Sequence, residues 1–252
     1  MARFVLVHGA FVGGWCWEPL LPLLEELGHD ASAPDLPGSG ADLTPVGDVT
    51  LDACAERLRD VLAATPAAAI VVGHGMGGMV ITQAAALLPD RIARLVYLGA
   101  FLPRDGQSLL DLTQLPEGAD DQVQANLTIE DRPAVGALTP KVLSHALFNR
   151  CTQRQLAWAL ERTRPQPLAP FLEPVRVGPN AFDPARRVYI RCARDHAIPP
   201  ALQRRMADES PCAEIHELDS DHSPFLTATS QLARLLDRIA REPEPSDAAP
   251  GR

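Results

Sequence analysis

Ala69-Ile70-Val71-Val72 is a continuous apolar run that leads without a break into Gly73-His74-Gly75-Met76-Gly77-Gly78. A run this short and β-branched predicts a strand buried on both faces. The glycines that follow let the chain turn sharply and approach its neighbours closely. From Gly75 to Leu88 the pattern is helical, and it stops before Pro89. Strand, tight turn and helix in that order make one unit of a parallel sheet, so the remaining chain must supply parallel neighbours.

It does. Phe4 to Val7 reads as a first strand. A helix follows with Pro19 in its first turn, Leu20, Leu23, Leu24 and Leu27 on one face, and Gly28 as its stop. A short strand is expected near Ala31 and Ala33, then a turn at Asp35-Leu36-Pro37-Gly38. Leu51 to Ala64 reads as a helix with Thr50 as N-cap. Further strands are expected at Leu95–Leu98, Val188–Ile190 and about Ala213–Leu218, and a last helix over about Pro224–Ala240 with Leu232, Leu235, Leu236 and Ile239 inward. Between about Pro103 and Pro184 the prolines Pro165, Pro167, Pro170, Pro174 and Pro179 interrupt any long pattern. The expected organisation is an α/β core of residues 1–102 and 185–241, a cap of short helices over 103–184, and a disordered polar tail over 242–252.

Composition narrows the function. The 252 residues carry a formal net charge of −9, which repels nucleic acid and anionic membranes, and the arginines are scattered. No stretch reaches the roughly 20 apolar residues of a membrane span. The five cysteines are far apart and form no CxxC pair, which predicts reduced thiols, a cytoplasmic protein and no metal site. No cofactor is expected, the partner is a small molecule, and nothing in the chain sets an oligomeric state.

The chemistry lies in three segments. The glycine turn fits the strand–elbow–helix of a G-x-S-x-G nucleophile motif, with Gly75 at the position of the attacking residue. Glycine offers no attacking atom, and it accepts the strained elbow dihedral more easily than serine. The same letters fit the dinucleotide string G-x-G-x-x-G, but the unit lies two βα units into the chain and has no suitably placed acid about 20 residues on. Asp195 follows the Val188 strand and His222 follows the strand ending near Leu218, so both are expected at carboxyl ends of strands in the order acid, then histidine. Asp219 and Asp221 are alternatives for the acid. Ala10, in His8-Gly9-Ala10, and Met76 are the candidate oxyanion-hole amides. Phe11, Phe148, Trp158 and Phe171 are candidates to line an apolar substrate pocket. His8 is expected to organise the oxyanion loop, His74 and Cys16 to pack, and Ser39 and Ser223 to have no catalytic role.

These residues together give a resemblance. With Gly14-Trp15-Cys16-Trp17, Gly28-His29, Asp35-Leu36, Gly73-His74-x-x-Gly77-Gly78, Asp195 with Ile198-Pro199, and Asp221-His222, the chain resembles the esterase, methylesterase and hydroxynitrile-lyase-like branch of the α/β-hydrolase superfamily over about Arg3 to Ala240. The resemblance implies an α/β-hydrolase fold with a mostly parallel sheet, helices on both faces and an inserted helical cap. It also implies that Asp195 and His222 are the triad acid and base. Gly75 departs from it, standing where the family has serine. Gly9 and Ser223 replace the threonine and lysine of the lyases, which argues against cyanohydrin cleavage. A hydrolase without its nucleophile loses around 10⁶-fold in turnover, whereas a histidine base is still worth roughly 10²–10⁴-fold. Three readings follow: a His222–Asp195 base dyad doing lyase, cyclase or water-assisted hydrolase chemistry on a small apolar ester or carbonyl compound; a non-catalytic ligand binder; and an esterase inactivated by a serine-to-glycine change.

Overall fold

A computed structural model describes residues 1–130, 134–178, 183 and 186–242. Its strands are β1 (Arg3–Val7), β2 (Asp30–Ser32), β3 (Ala69–Gly75), β4 (Ile92–Ala100), β5 (Thr128–Glu130), β6 (Val135–Ala137), β7 (Gln166–Pro167), β8 (Arg187–Cys192) and β9 (Glu214–Leu218). Its α-helices are α1 (Leu21–Glu26), α2 (Leu51–Ala63), α3 (Gly77–Ala85), α4 (Leu109–Thr113), α5 (Pro140–Ala146), α6 (Gln153–Leu160), α7 (Ala169–Leu172), α8 (Pro200–Glu209), α9 (Pro224–Thr227) and α10 (Thr229–Arg241).

Six strands form one sheet in the order β2-β1-β3-β4-β8-β9, and every pairing in it is parallel. Side chains alternate across a strand, so each strand feeds two cores. Val5, Val7, Val71, Leu95, Tyr97 and Tyr189 face one core, which α2, α3 and α8 close with Leu58, Met79 and Met206. Phe4, Leu6, Ile70, Val72, Val96 and Val188 face the other, closed by Leu24 of α1 and Leu232, Leu235 and Leu236 of α10. Helices cover both faces, which is why these strands read as unbroken apolar runs. The arrangement is the expected α/β-hydrolase architecture.

Local signals act as expected at several points. The Thr50 hydroxyl accepts from the Ala53 N–H at 3.0 Å and caps α2. Gly28 has φ +84 and ends the first helical segment in a left-handed turn. Elsewhere the structure differs. The Gly75–Leu88 helix begins only at Gly77, because Gly75 is the last residue of β3. The last helix is split at Ala228, whose backbone leaves the helical region at φ −136 and ψ 29. Helix α8 was not foreseen, although Pro199 and Pro200 are a helix-start signal. The cap segment contains helices α4 to α7 and also a three-stranded antiparallel sheet, β5-β6-β7. Strands of two or three residues carry too few alternations to be seen in the sequence. Pro179, Pro184 and positions 243–252 of the expected tail lie outside the described residues. Glu242, the first tail residue, accepts from the Arg94 guanidinium through its backbone carbonyl at 3.3 Å.

The glycine turn is crowded. A Cβ on Gly78 would stand 2.0 Å from the Phe101 carbonyl oxygen, and one on Gly73 2.7 Å from the Gly77 carbonyl oxygen. Both obstacles are backbone atoms. Gly78→Ala is therefore expected to lower unfolding free energy in urea by about 3 kcal/mol. Gly47→Ala, where a Cβ meets nothing within 4 Å, serves as the comparison and should change stability by less than about 1 kcal/mol.

Candidate active site

Parallel strands order the site. β1 and β3 are neighbours, β2 lies on one side and β4 on the other, so the chain reverses direction of winding between β1 and β3. A crevice opens at the carboxyl ends of strands at such a point. Ala10 follows β1, Gly75 ends β3, and the loops after β8 and β9 bring Asp195 and His222.

Gly75 has φ +54 and is buried. Its backbone N–H and carbonyl therefore sit in the left-handed turn that a nucleophile elbow requires, without a side chain to strain. The Gly75 carbonyl accepts from the Phe101 N–H at 3.1 Å. A Cβ built on Gly75 would lie 3.3 Å from His222 Nε2 and 3.6 Å from Gly9 Cα. The histidine thus stands directly over the turn tip, with no attacking atom beneath it.

His222 Nδ1 and Asp195 Oδ2 are 2.8 Å apart. Asp195 is fixed on its other oxygen, where Oδ1 accepts from the Ala197 and Ile198 N–H groups at 2.8 Å each. The Gln203 amide donates to Asp195 Oδ2 at 3.1 Å and to the Ile198 carbonyl at 2.7 Å, while its own oxygen accepts from the Cys192 N–H at 2.9 Å. Sequence reasoning missed Gln203 because it missed α8. Burial alone would push the His222 imidazole down. The Asp195 carboxylate, its hydrogen bond, and the charges of Asp221 and Asp121 outweigh burial and hold His222 above its ordinary value. With Nδ1 donating to Asp195, neutral His222 carries its free lone pair on Nε2, the nitrogen over Gly75.

The alternative acids are used elsewhere. Asp221 Oδ2 accepts from the Arg150 N–H at 2.9 Å, and Oδ1 accepts from the Thr227 hydroxyl at 2.6 Å and the Ser223 N–H at 3.1 Å. It ties the cap to the histidine loop. Asp219 is exposed and pairs with Arg150 and Arg194. His74 donates from Nε2 to the His222 carbonyl at 2.7 Å and packs its ring on His222 and Phe225. Burial, with His222 beside it, lowers His74 well below its usual value, so it stays neutral. His8 accepts from the Leu36 N–H at 3.0 Å and donates to the Gly9 carbonyl at 2.8 Å, which holds the early loop against the Asp35 turn. Cys16 is fully buried, and burial first and the Asp35 charge second raise its thiol well above the usual range. Such a thiol is no nucleophile.

A cavity of about 90 Å³ lies over the turn. That is room for several water molecules or one small ligand. Ala10, Phe11, Gly75, Met76, Phe171 and His222 are among its lining residues. Phe11 has φ +66, a conformation that bulky residues rarely hold. Its N–H donates to the side chain of Gln166 on β7 at 3.2 Å, so the cap fixes the early loop. Phe148 and Trp158 do not line the cavity. Phe148 is buried in the α1–α10 core, and Trp158 stacks edge-on against Trp15 under the Arg162 guanidinium. Among the described residues no group of three or more His, Cys, Asp or Glu side chains is arranged to hold a metal ion.

Several lining residues carry no mark in the sequence, and Asp121 is the one among them that titrates: it reaches the cavity from the cap side and is 3% exposed. Its Oδ1 accepts from the Val123 and Gln124 N–H groups at 2.7 and 2.9 Å. In sequence Asp120-Asp121 looks like a solvated turn, and no pattern separates it from one. Burial pushes its carboxyl up to about 6, the nearby Asp195 charge adds to the rise, and the two backbone N–H groups and His222 oppose it.

A family model described as the alpha/beta hydrolase family matches residues 4–235. The chain is 32% identical over 264 residues to salicylic acid-binding protein 2 of Nicotiana tabacum, covering 95% of this chain and 97% of that protein. It is 36% identical over 249 residues to the Arabidopsis thaliana chloroplastic protein numbered methylesterase 11, covering 95% of this chain but only 64% of the relative's length. The solved structure of a histidine-to-alanine variant of tomato methylketone synthase I complexed with β-ketoheptanoate superposes with a TM-score of 0.82 at 25% identity, covering 95% of this chain and 97% of that one.

A raised carboxyl destabilises the folded state at high pH. The unfolded Asp121 ionises near pH 4 and the folded one near pH 6. The stability this group contributes is full below pH 4 and is lost as pH rises through 6. Asp121→Asn removes the titration. The stability difference between Asp121→Asn and the natural chain should therefore shift in favour of the variant by up to about 3 kcal/mol between pH 4 and pH 7 and stay flat above. Thermal unfolding at a series of pH values measures it.

Proposed function

We propose that this chain, which belongs to the α/β-hydrolase family and to its methylesterase-like branch, transfers a proton at a carbon beside a carbonyl group of a small, largely apolar metabolite. The observation that carries the reading is the 3.3 Å between His222 Nε2 and the side-chain position that Gly75 leaves empty. His222 is the base, Asp195 holds its tautomer and stabilises the imidazolium, and the Ala10 and Met76 N–H groups receive the enolate oxygen. No acyl-enzyme can form at Gly75. The substrate carbonyl lies over the turn, and the proton removed from carbon returns through the same imidazole; with a β-keto acid, His222 instead takes the proton of the acid's carboxyl group, the bond to that carboxylate breaks to release carbon dioxide, and the imidazolium gives the proton to the enolate carbon left behind. Both sequences need no group beyond the dyad and the backbone amides.

Two further points support an enolisable carbonyl substrate. The cavity lining is mostly apolar, which strengthens each of the few polar contacts in it. A relative of the same fold has been captured with a β-keto acid. The five cysteines are all free, which supports a reducing compartment, and we assign the chain to the cytoplasm on that ground. A second reading has its own observation. The left-handed φ at Gly75 and the nearness of His222 are what an ester-cleaving serine would need, so an esterase inactivated at this one position fits the same geometry.

Turnover of short β-keto acids and of p-nitrophenyl esters separates the two. The natural chain should release ketone from the keto acid, and His222→Ala should lower kcat/KM for it by about 10²–10⁴-fold. Gly75→Ser should gain ester cleavage, at a cost in stability of about 1 kcal/mol for the left-handed backbone. Keto-acid turnover unchanged in His222→Ala would sink the dyad. No turnover in the natural chain, with ester cleavage in Gly75→Ser, would establish the disabled esterase.

A further inference from the structure

Of the residues that line the cavity, Asp121 and His222 are the two with titratable side chains. They arrive from opposite sides, His222 from the loop after β9 and Asp121 from the cap. The Asp121 turn is anchored at both ends. Its N–H donates to the Gly118 carbonyl at 3.0 Å, and the next N–H, of Gln122, donates to the His196 carbonyl at 2.9 Å in the loop that carries Asp195. Both backbone donors meet Oδ1. Among the described residues nothing donates to Oδ2. Asp121 lines the cavity while only 3% exposed, so Oδ2 is the oxygen left open to a bound molecule.

Four donors serve Asp195. Asp121 has two, and lies within reach of the field of Asp195. Burial favours its protonated form. A protonated carboxyl has an O–H to give, and the cavity holds the acceptor's place.

We infer that Asp121 contacts the substrate in its protonated form and donates from Oδ2 to a second oxygen of the bound molecule, so that the site selects dicarbonyl compounds, keto acids and diketones, over monoketones. This rests on the reading above that one carbonyl lies over Gly75, and it adds the second recognition point. His222 keeps its role in proton transfer at carbon. Asp121 orients the distal oxygen and, for an enolate, neutralises charge that two backbone amides alone would carry. Binding then takes a proton from solvent wherever Asp121 is ionised in the empty site.

The charged groups that act on Asp121 are Asp195 and His222. The probe is 3,3-dimethylpentane-2,4-dione, whose central carbon has no proton to lose, with 3,3-dimethylpentan-2-one as the shape-matched monoketone. Calorimetry at pH 7.5 in two buffers of different ionisation enthalpy counts protons. The natural chain should take up close to one proton per dione and none for the monoketone. Its affinity for the dione should fall about tenfold per pH unit above about 6, because only the protonated fraction binds. Asp121→Asn should keep dione binding through its amide N–H, lose the proton uptake and show a flat pH profile. Asp121→Leu should bind the two ketones equally. Proton uptake that persists in His222→Ala assigns it to Asp121.

The inference is overturned if the dione does not bind, if it binds no better than the monoketone, or if uptake is absent in the natural chain or survives in Asp121→Asn. These readouts are binding and need no turnover. A failure of the base dyad, seen as keto-acid turnover indifferent to His222→Ala, is therefore distinct from a failure here.

Discussion

The structure turns on the left-handed backbone at Gly75. It ends β3 one residue before the Met76 N-cap of α3 and so sets where the first amide of that helix lies. The close contacts around it require glycine for a different reason at each position. Gly77 and Gly78 stand against the backbones of the β1 loop and of Phe101, where a Cβ would come within 2.8 and 2.0 Å of carbonyl oxygens. Gly75 has an unusual dihedral, and a Cβ there would meet no backbone closer than 3.6 Å but would press on His222 Nε2 at 3.3 Å. Crowding fixes the helix against the sheet, and the dihedral aims position 75 at the histidine. His74 then connects the turn to the His222 loop, by donating to the His222 carbonyl.

Burial of charge around this turn is graded. A buried carboxylate costs several kcal/mol unless hydrogen bonds replace its water. Asp195 has four donors and lies beside an imidazole whose protonated form it favours. Burial pushes Asp121 toward its neutral form, the like charge of Asp195 adds to it, and its two backbone donors oppose it without outweighing burial. His8 and His74, buried without a carboxylate partner, are held neutral and act as spacers between loops.

Three of the hydrogen bonds that join the cap segment to the core lie near the cavity. Gln166 on the small sheet receives the N–H of Phe11, and Asp221 receives the N–H of Arg150. Glu173 accepts from the Leu51 N–H at 2.6 Å at the start of α2. Each joins a cap segment to a loop or helix start at the cavity end of the sheet. The cap therefore shapes the cavity and also holds Phe11 in a conformation that costs of order 1–3 kcal/mol on its own.

By itself the sequence determined the parallel sheet, its helices on both faces, the turn at Gly75, and Asp195 and His222 as candidates at strand ends, with Asp219 and Asp221 as rival acids that the structure set aside. These are written in local patterns: apolar runs of strand length, a cluster of glycines, and two polar residues directly after strands. The α/β-hydrolase resemblance rested on the same segments. Only the tertiary structure decided the rest. It turned Phe148 and Trp158 into packing, because helix faces in a cap of short elements carry no period long enough to show which way they point. It gave Gln166 and Gln203 their partners 155 and 8 residues away. Above all it moved Asp121 from an apparent solvated turn into the wall of the cavity. The physical reason is common to all of these. A hydrophobic period records which face is buried, but a buried polar side chain follows no period, and its meaning lies in the atoms that distant parts of the chain bring to it.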